Sequence, residues 1–524
     1  MGKLLRIVFL AVCLLGALQP LAGALSVTGG AIQGSESEGI QVFKGIPFAA
    51  PPVGELRWKA PQPVVPWEGT RDCTAYGNSC AQTNYPEGTL WARMANIPED
   101  QMAEDCLYLN VWSPAMTPKE PAAVMVWIHG GGLTRGSSSN IAYGGAALAK
   151  QGVVVVTINY RLGPFGFLAL KELSAESPQG VSGNYGVLDQ IVALQWVRDN
   201  IAQFGGDPGR VTIFGESAGS WSVCSLVASP LAKGLFHGAI GQSGGQFEPM
   251  PHLKTANGKI PAWESAGVAF AEALAGKKDY TIADLRGAST EAVLTAFESH
   301  GGGLAKGNVD GWVFPEDIYQ IFAKGQHNPV PVIVGFNQDE GTALYPHLTP
   351  PTREAYLAYA EKTYGPLKDA FLEVYPAATD KDVRSAFMAS MRGAAFGWEM
   401  NTWAKLTRDK GGQAYLYYFS RIPDTPLKAM FGSHHAAEIL YVFRNLDKSP
   451  ERTLHPEDLA LQDAMSAYWV NFAKTGTPAG EGLPEWSAYD ATKSYMAFGD
   501  SVELKHDVLP KEMAFFDQAK KRKP

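Results

Sequence analysis

Apolar residues along this chain gather into short runs separated by longer mixed segments. Ala122 to Ile128, Val153 to Ile158, Val211 to Phe214, Gly238 to Ile240, Val330 to Phe336 and Ala414 to Phe419 are rich in β-branched or apolar residues and read as fully buried strands. Between some of them apolar positions recur at helical spacing, as over Leu188 to Ile201. Buried strands alternating with helices predict an α/β fold, a large and mostly parallel central sheet covered by helices on both faces. The first hundred residues are richer in Pro and Gly and predict a meander packed on the sheet edge. No internal repeat or low-complexity linker divides the chain, so residues 25–524 are read as one elaborated α/β domain.

The run Val211 to Phe214 leads into Gly215-Glu216-Ser217-Ala218-Gly219, and Ser220 to Leu226 reads as the first turns of a helix. A strand running through Gly-x-Ser-x-Gly into a helix is the layout of a nucleophile elbow, which holds a serine hydroxyl above a sheet. Glycines flank the serine because a Cβ at either position would meet a neighbouring backbone. The same pentapeptide pattern recurs at Gly241-Gln242-Ser243-Gly244-Gly245, but Pro249 and Pro251 follow closely and preclude an elbow helix. Ser217 is therefore the candidate nucleophile and Ser243 a supporting residue.

A serine nucleophile needs a base, and the base needs a carboxylate to hold its tautomer. After the strand Ala122 to Ile128 comes His129-Gly130-Gly131-Gly132, whose bare backbone amides suit an oxyanion. The donors would be Gly131, Gly132 and Ala218. Glu340 follows the strand Val330 to Phe336 and is the candidate acid, with Asp339 its competitor. His434 and His435 lie beyond the strand Ala414 to Phe419, and spacing does not separate them. A metal held by His434, His435 and Glu438 is the alternative, but no H-E-x-x-H pattern accompanies them. No metal or organic cofactor is expected.

Lys3 and Arg6 precede an apolar stretch, Ile7 to Leu18, and Ala22-Gly23-Ala24 forms an A-x-A site, so residues 1–24 read as a secretory signal peptide. The stretch is too short to span a membrane. Cleavage after Ala24 removes two cations and no anion, moving the formal charge from −8 to −10. An acidic chain without a basic stripe argues against a nucleic-acid partner. An exported, periplasmic or secreted, protein can form disulfides, and Cys73, Cys80, Cys106 and Cys224 allow three pairings.

Further landmarks are Phe43-Lys44-Gly45-Ile46-Pro47-Phe48-Ala49 with Pro51-Pro52-Val53-Gly54, Glu104-Asp105-Cys106-Leu107-Tyr108-Leu109-Asn110-Val111-Trp112, Asn159-Tyr160-Arg161, Asn184-Tyr185-Gly186-Val187-Leu188-Asp189-Gln190 and Phe204-Gly205-Gly206-Asp207-Pro208. With the elbow they resemble the type B carboxylesterase/lipase family, which includes the cholinesterases, along nearly the whole mature chain. The resemblance implies an α/β-hydrolase fold and a serine carboxylesterase that uses Ser217, Glu340 and His435 as its triad. It selects Glu340 as the Glu of an Asp-Glu-Gly tripeptide, and His435 as the histidine three residues before Glu438-Ile439. It also implies a Cys80–Cys106 disulfide, ion pairs Arg57–Glu104 and Arg161–Asp189, and a buried Glu216 hydrogen-bonded to Ser243. Cys73 and Cys224 have no place in the pattern.

Cholinesterases carry a choline-stacking tryptophan ten residues before the second cysteine of the first loop. Asn96 stands there in this chain, with Trp91 the nearest tryptophan, so choline esters are not expected. After the glycines comes Leu133-Thr134-Arg135, and Arg135 is a candidate to bind an acidic acyl group, weighed against a purely structural ion pair. Phe247, Trp312 and Phe336 are candidate pocket-lining aromatics. The substrate implied is a small-molecule carboxylic ester, with esters of an acidic acyl part, such as fumonisin-type tricarballylate esters, one class. Amide or carbamate hydrolysis on the same triad is the alternative; a non-catalytic binding role is disfavoured because every triad candidate is present.

Overall fold

The computed structural model describes residues 19–20, 23–301 and 303–521, so the expected leader lies mostly outside the described residues. A twelve-stranded sheet organises the chain. At its centre Val153–Ile158, Ala122–Ile128, Gly206–Glu216, Gly238–Gln242, Val332–Asn337, Ala414–Phe419 and Ser494–Phe498 pair in parallel, in that order. Antiparallel strands extend both edges, Val502–His506 at one and Tyr108–Ser113, Ile40–Pro47, Ser35–Ser37 and Gln19–Pro20 at the other.

Alternation along each central strand feeds two separate cores. Val124, Val126 and Ile128 join one, with helices Tyr185–Asn200 and Ala218–Ala228 supplying Leu194 and Leu226. Ala123, Met125 and Trp127 join the other, beneath helix Pro456–Thr475 with its Met465 and Trp469. Both faces of the sheet are covered by helices, and this is why the strands read as unbroken apolar runs.

The strand expected from Val330 begins at Val332, because Pro331 has no N–H for the ladder and offers only its carbonyl, to the Ala239 amide. The strand expected from Val211 begins at Gly206, which pairs with Ala122 across an irregularity in register. The N-terminal region does form a small sheet of Leu25–Val27, Gly30–Gln33 and Thr70–Asp72, but its Ile40–Pro47 joins the large sheet beside Tyr108–Ser113.

Arg57 meets Glu104 at 2.5 Å and Arg161 meets Asp189 at 2.7 Å, the two ion pairs expected. Cys80 and Cys106 form a disulfide, whereas Cys73 and Cys224 are free and buried. Burial pushes the Cys73 thiol up to about 12 and that of Cys224 well above its ordinary value, so neither is a ready thiolate. No helix among the described residues is long and apolar enough to cross a membrane.

Candidate active site

Ser217 stands alone between the strand ending at Glu216 and the helix beginning at Ala218, with φ 57° and ψ −125°. For a serine this conformation is strained, and the surrounding backbone enforces it. The Ser217 amide donates to the Gln242 carbonyl at 2.8 Å, and the Ser217 carbonyl accepts from Trp221 N–H at 3.0 Å. A Cβ at Gly215 would lie 2.7 Å from the Ile128 carbonyl oxygen, and one at Gly219 only 2.0 Å from it. The flanking glycines are thus a steric requirement of the turn.

Ser243 shares the positive φ, at 54°, yet no helix follows it before Trp263, and its side chain is fully buried. Ser217 is partly exposed and opens on a cavity of about 520 Å³, also lined by Trp91, Tyr143, Leu344, Phe396 and His435. A nucleophile has to be reached by substrate, and only Ser217 meets that condition.

The loops at the C-terminal ends of the parallel strands bring the other groups here, as expected of an open α/β sheet. Glu340, three residues past Asn337, accepts the Asn337 N–H at 2.7 Å on Oε1. Its Oε2 lies 2.5 Å from His435 Nδ1. Asp339 is directed elsewhere: its carboxylate accepts the Ser433 N–H at 2.8 Å while its own N–H donates to the Ser433 carbonyl at 3.0 Å. It fastens the loop that carries the histidines. His434 Nδ1 lies 2.7 Å from the His435 carbonyl, and burial drops its pKa to about 4. Glu438 is engaged by Asn337 Nδ2 at 2.6 Å and Gln242 Nε2 at 3.0 Å. The structure brings Ser217, Glu340 and His435 to one region, with His434 on the His435 carbonyl and Glu438 on the side-chain amides of Asn337 and Gln242.

His435 Nε2 lies 3.0 Å from Oε1 of Glu216, and among the described residues no hydrogen bond joins it to Ser217 Oγ. Burial opposes an imidazolium here, but Glu216, Glu340 and Glu438 outweigh it and raise the His435 pKa to about 9. Burial also raises the Glu216 carboxyl well above its usual range, with Glu438 and Glu340 adding to the effect and His435 opposing it. The expected Glu216–Ser243 hydrogen bond is not formed. The carboxylate turns to the imidazole instead.

Gly131 and Gly132 have φ of 103° and 65°, and a Cβ at Gly131 would lie 2.2 Å from the Arg135 carbonyl oxygen. Among the described residues no hydrogen bond uses the amides of Gly131, Gly132 or Ala218. Ala218 opens a helix, where N–H groups have no intrahelical acceptor. His129 beside them is buried, stacks on Tyr160 at 4.6 Å, and has its pKa lowered by burial to about 4.

Arg135 lines the cavity with its donors already engaged. Its Nε donates to the Thr83 carbonyl at 2.8 Å, and its Nη2 reaches Thr83 Oγ1 at 2.8 Å and Glu298 at 3.0 Å. The structural ion pair is the arrangement found. Asn96 clamps the Tyr85 backbone through both atoms of its amide. Phe247 and Phe336 are buried in the core, and Trp312 lines a separate small pocket, so none of the three lines the Ser217 cavity. The aromatic rings at His435 are instead Trp91, at 6.0 Å, and Phe396, at 4.9 Å. Phe396 has no sequence signal of its own, whereas Glu438 stands three residues from His435, where the sequence offers it as a metal ligand or a marker of register.

The Carboxylesterase family model matches residues 22–516. The chain is 37% identical over 481 residues to a fumonisin B1 esterase of Sphingopyxis macrogoltabida, covering 90% of this chain and 86% of that one. It is 35% identical to the para-nitrobenzyl esterase of Bacillus subtilis (strain 168), over 91% of this chain and 95% of the relative. Against the liver carboxylesterase of Sus scrofa the identity is 36%, over 91% and 88%. A solved PNB esterase structure superposes with a TM-score of 0.79 at 32% identity, covering 94% of this chain and 99% of the other.

Proposed function

The chain belongs to the Carboxylesterase family and is a carboxylic ester hydrolase, and on that premise we propose that it works through a Ser217–Glu340–His435 triad and an acyl-enzyme. The observation that carries this reading is His435, its Nδ1 on Glu340 at 2.5 Å, in one cavity with an elbow serine.

Ser217 Oγ attacks the ester carbonyl as the His435 imidazole turns from Glu216 and takes its proton on Nε2. Catalytic hydrogen bonds commonly tighten only once substrate is present. The amides of Gly131, Gly132 and Ala218 receive the oxyanion, each such donor typically worth about 10²–10³ in kcat. His435 protonates the leaving alcohol, then draws a proton from water as its oxygen attacks the acyl carbonyl, and returns that proton to Ser217 Oγ as the acyl–Oγ bond breaks and the acid leaves. Glu340 holds the tautomer and stabilises the imidazolium.

The substrate class we favour is an ester with an acidic acyl part, fumonisin-type tricarballylate esters among them, supported by the similarity to a fumonisin B1 esterase. We further read the chain as exported after removal of residues 1–24, its remaining residues acting as one domain. A panel of p-nitrophenyl esters varied in acyl length and charge, with Ser217→Ala as control, tests the mechanism. Turnover that persists in the variant refutes it.

A further inference from the structure

Five cationic side chains line the Ser217 cavity: Arg93, Arg135, Lys428, Lys448 and Arg452. Four have carboxylate partners. Arg93 pairs with Glu451 at 3.1 Å, Arg135 with Glu298 at 3.0 Å, Lys428 with Asp424 at 2.7 Å and Lys448 with Asp447 at 2.7 Å. Among the described residues Arg452 has no such partner, and its buried Nε and Nη1 make no hydrogen bond.

The surroundings explain why none of the described residues satisfies these two nitrogens. Among the described residues Asp458 is the carboxylate whose charge acts on Arg452. Its Oδ1 already accepts from Arg421 Nε and from the Tyr441 hydroxyl, both at 2.8 Å, and its Oδ2 from the His455 N–H at 3.0 Å. Arg421 adds repulsion. The guanidinium lies over the Tyr441 ring at 5.0 Å, a contact that eases its desolvation without supplying a hydrogen-bond acceptor. Burial lowers its pKa, with Tyr441 and Asp458 opposing, as for a cation short of counter-charge. Two guanidinium nitrogens withdrawn from water with empty donors are costly, and a buried polar group left unpaired in a native structure calls for a partner.

We propose that Arg452 is the carboxylate-binding site of this cavity, which makes the enzyme selective for esters bearing a second, free carboxylate, such as half-esters of di- and tricarboxylic acids. The inference rests on the reading of the cavity as the ester site of Ser217. Arg452, His434, His435 and Ser217 line one cavity, so a carboxylate captured by Arg452 sits in the same chamber as His435. A planar fork of donors suits a carboxylate better than a lysine would. The sequence pointed to Arg135 for this task; the structure gives Arg135 an internal carboxylate and leaves Arg452 without one.

The test uses the full chain and p-nitrophenyl half-esters of glutaric and adipic acids, set against p-nitrophenyl butyrate. Arg452→Gln is expected to lower the ratio of anionic to neutral kcat/KM about 10- to 100-fold, mainly through KM. Arg452→Lys should recover part of it, and Arg135→Gln should leave the ratio within about twofold. A second readout needs no turnover: glutarate and tricarballylate should raise the thermal midpoint of the unsubstituted protein and not that of Arg452→Gln. An unchanged ratio, or equal stabilisation of both proteins by these acids, overturns the proposal. Absence of turnover on both the neutral and the anionic esters by the unsubstituted enzyme would instead refute the triad reading, and the dicarboxylate measurement would still decide on Arg452.

Discussion

His435 Nε2 faces Glu216 Oε1 at 3.0 Å, and Glu216 is the residue that immediately precedes Ser217. On the proposed triad, the elbow therefore places side by side in the chain the hydroxyl to be activated and a carboxyl group whose charge favours the protonated ring. Burial alone would lower the His435 pKa; Glu216, Glu340 and Glu438 reverse the sign and raise it to about 9. A base must be neutral to accept a proton, so kcat/KM falls as pH drops through that pKa. Glu216→Gln removes one of the raising charges. The acid limb of the kcat/KM profile on a neutral ester is expected to move to lower pH in that variant, and a limb that stays or moves upward contradicts the assignment.

The neighbouring carboxylates Asp339 and Glu340 do different work, one holding the Ser433 backbone and the other His435. Glu340→Gln should lower kcat/KM by about 10³–10⁴, as loss of a triad carboxylate does. Asp339→Ala should cost about tenfold or less, through a looser histidine loop. Steady-state kinetics on one ester compares them, and a reversed order of losses would make Asp339 the acid.

This pair also marks what could be read along the chain. Strands Ala122–Ile128, Val153–Ile158 and Ala414–Phe419 were legible to the residue, because burial on both faces leaves unbroken apolar runs. Ile40–Pro47 and Tyr108–Ser113 were not, since glycine, lysine and asparagine interrupt their apolar pattern at the sheet edge. The elbow declared itself through its glycines. Residue pattern alone left Glu340 against Asp339 and His435 against His434 open, and resemblance chose between them. The wall of the cavity was the least legible part. Trp91, Phe396 and Arg452 come from segments distant in sequence, and which of several arginines lacks a partner depends on contacts no local pattern records.

Gly131 and Gly132 both have positive φ, but only at Gly131 would a Cβ collide with backbone, 2.2 Å from the Arg135 carbonyl; at Gly132 the nearest atom is Thr134 Oγ1 at 3.8 Å. Gly131→Ala should displace the loop and cost about 10²–10³ in kcat. Gly132→Ala should bear chiefly the conformational strain of about 1–2 kcal/mol and keep most of its activity. Equal losses would show that the donor geometry is not set by packing at Gly131.

The Cys80–Cys106 link closes a segment that carries Trp91 and Met94 onto the cavity wall. Thiol titration of the unreduced, denatured chain after leader removal should find two thiols, Cys73 and Cys224. Cys80→Ser with Cys106→Ser should lower the unfolding free energy by about 3–4 kcal/mol, read as a lower thermal midpoint, and raise KM. Four titratable thiols, or an unmoved midpoint, would count against the link.

Two Gly-x-Ser-x-Gly serines lie in this chain, one open to the cavity and one fully buried, and the account assigns the chemistry to the first. Labelling with a fluorophosphonate, followed by digestion and mass spectrometry, separates them. The adduct is predicted on Ser217 alone, with loss of esterase activity in step with labelling and no adduct in Ser217→Ala. An adduct on Ser243, or inactivation that leaves Ser217 unmodified, would contradict it.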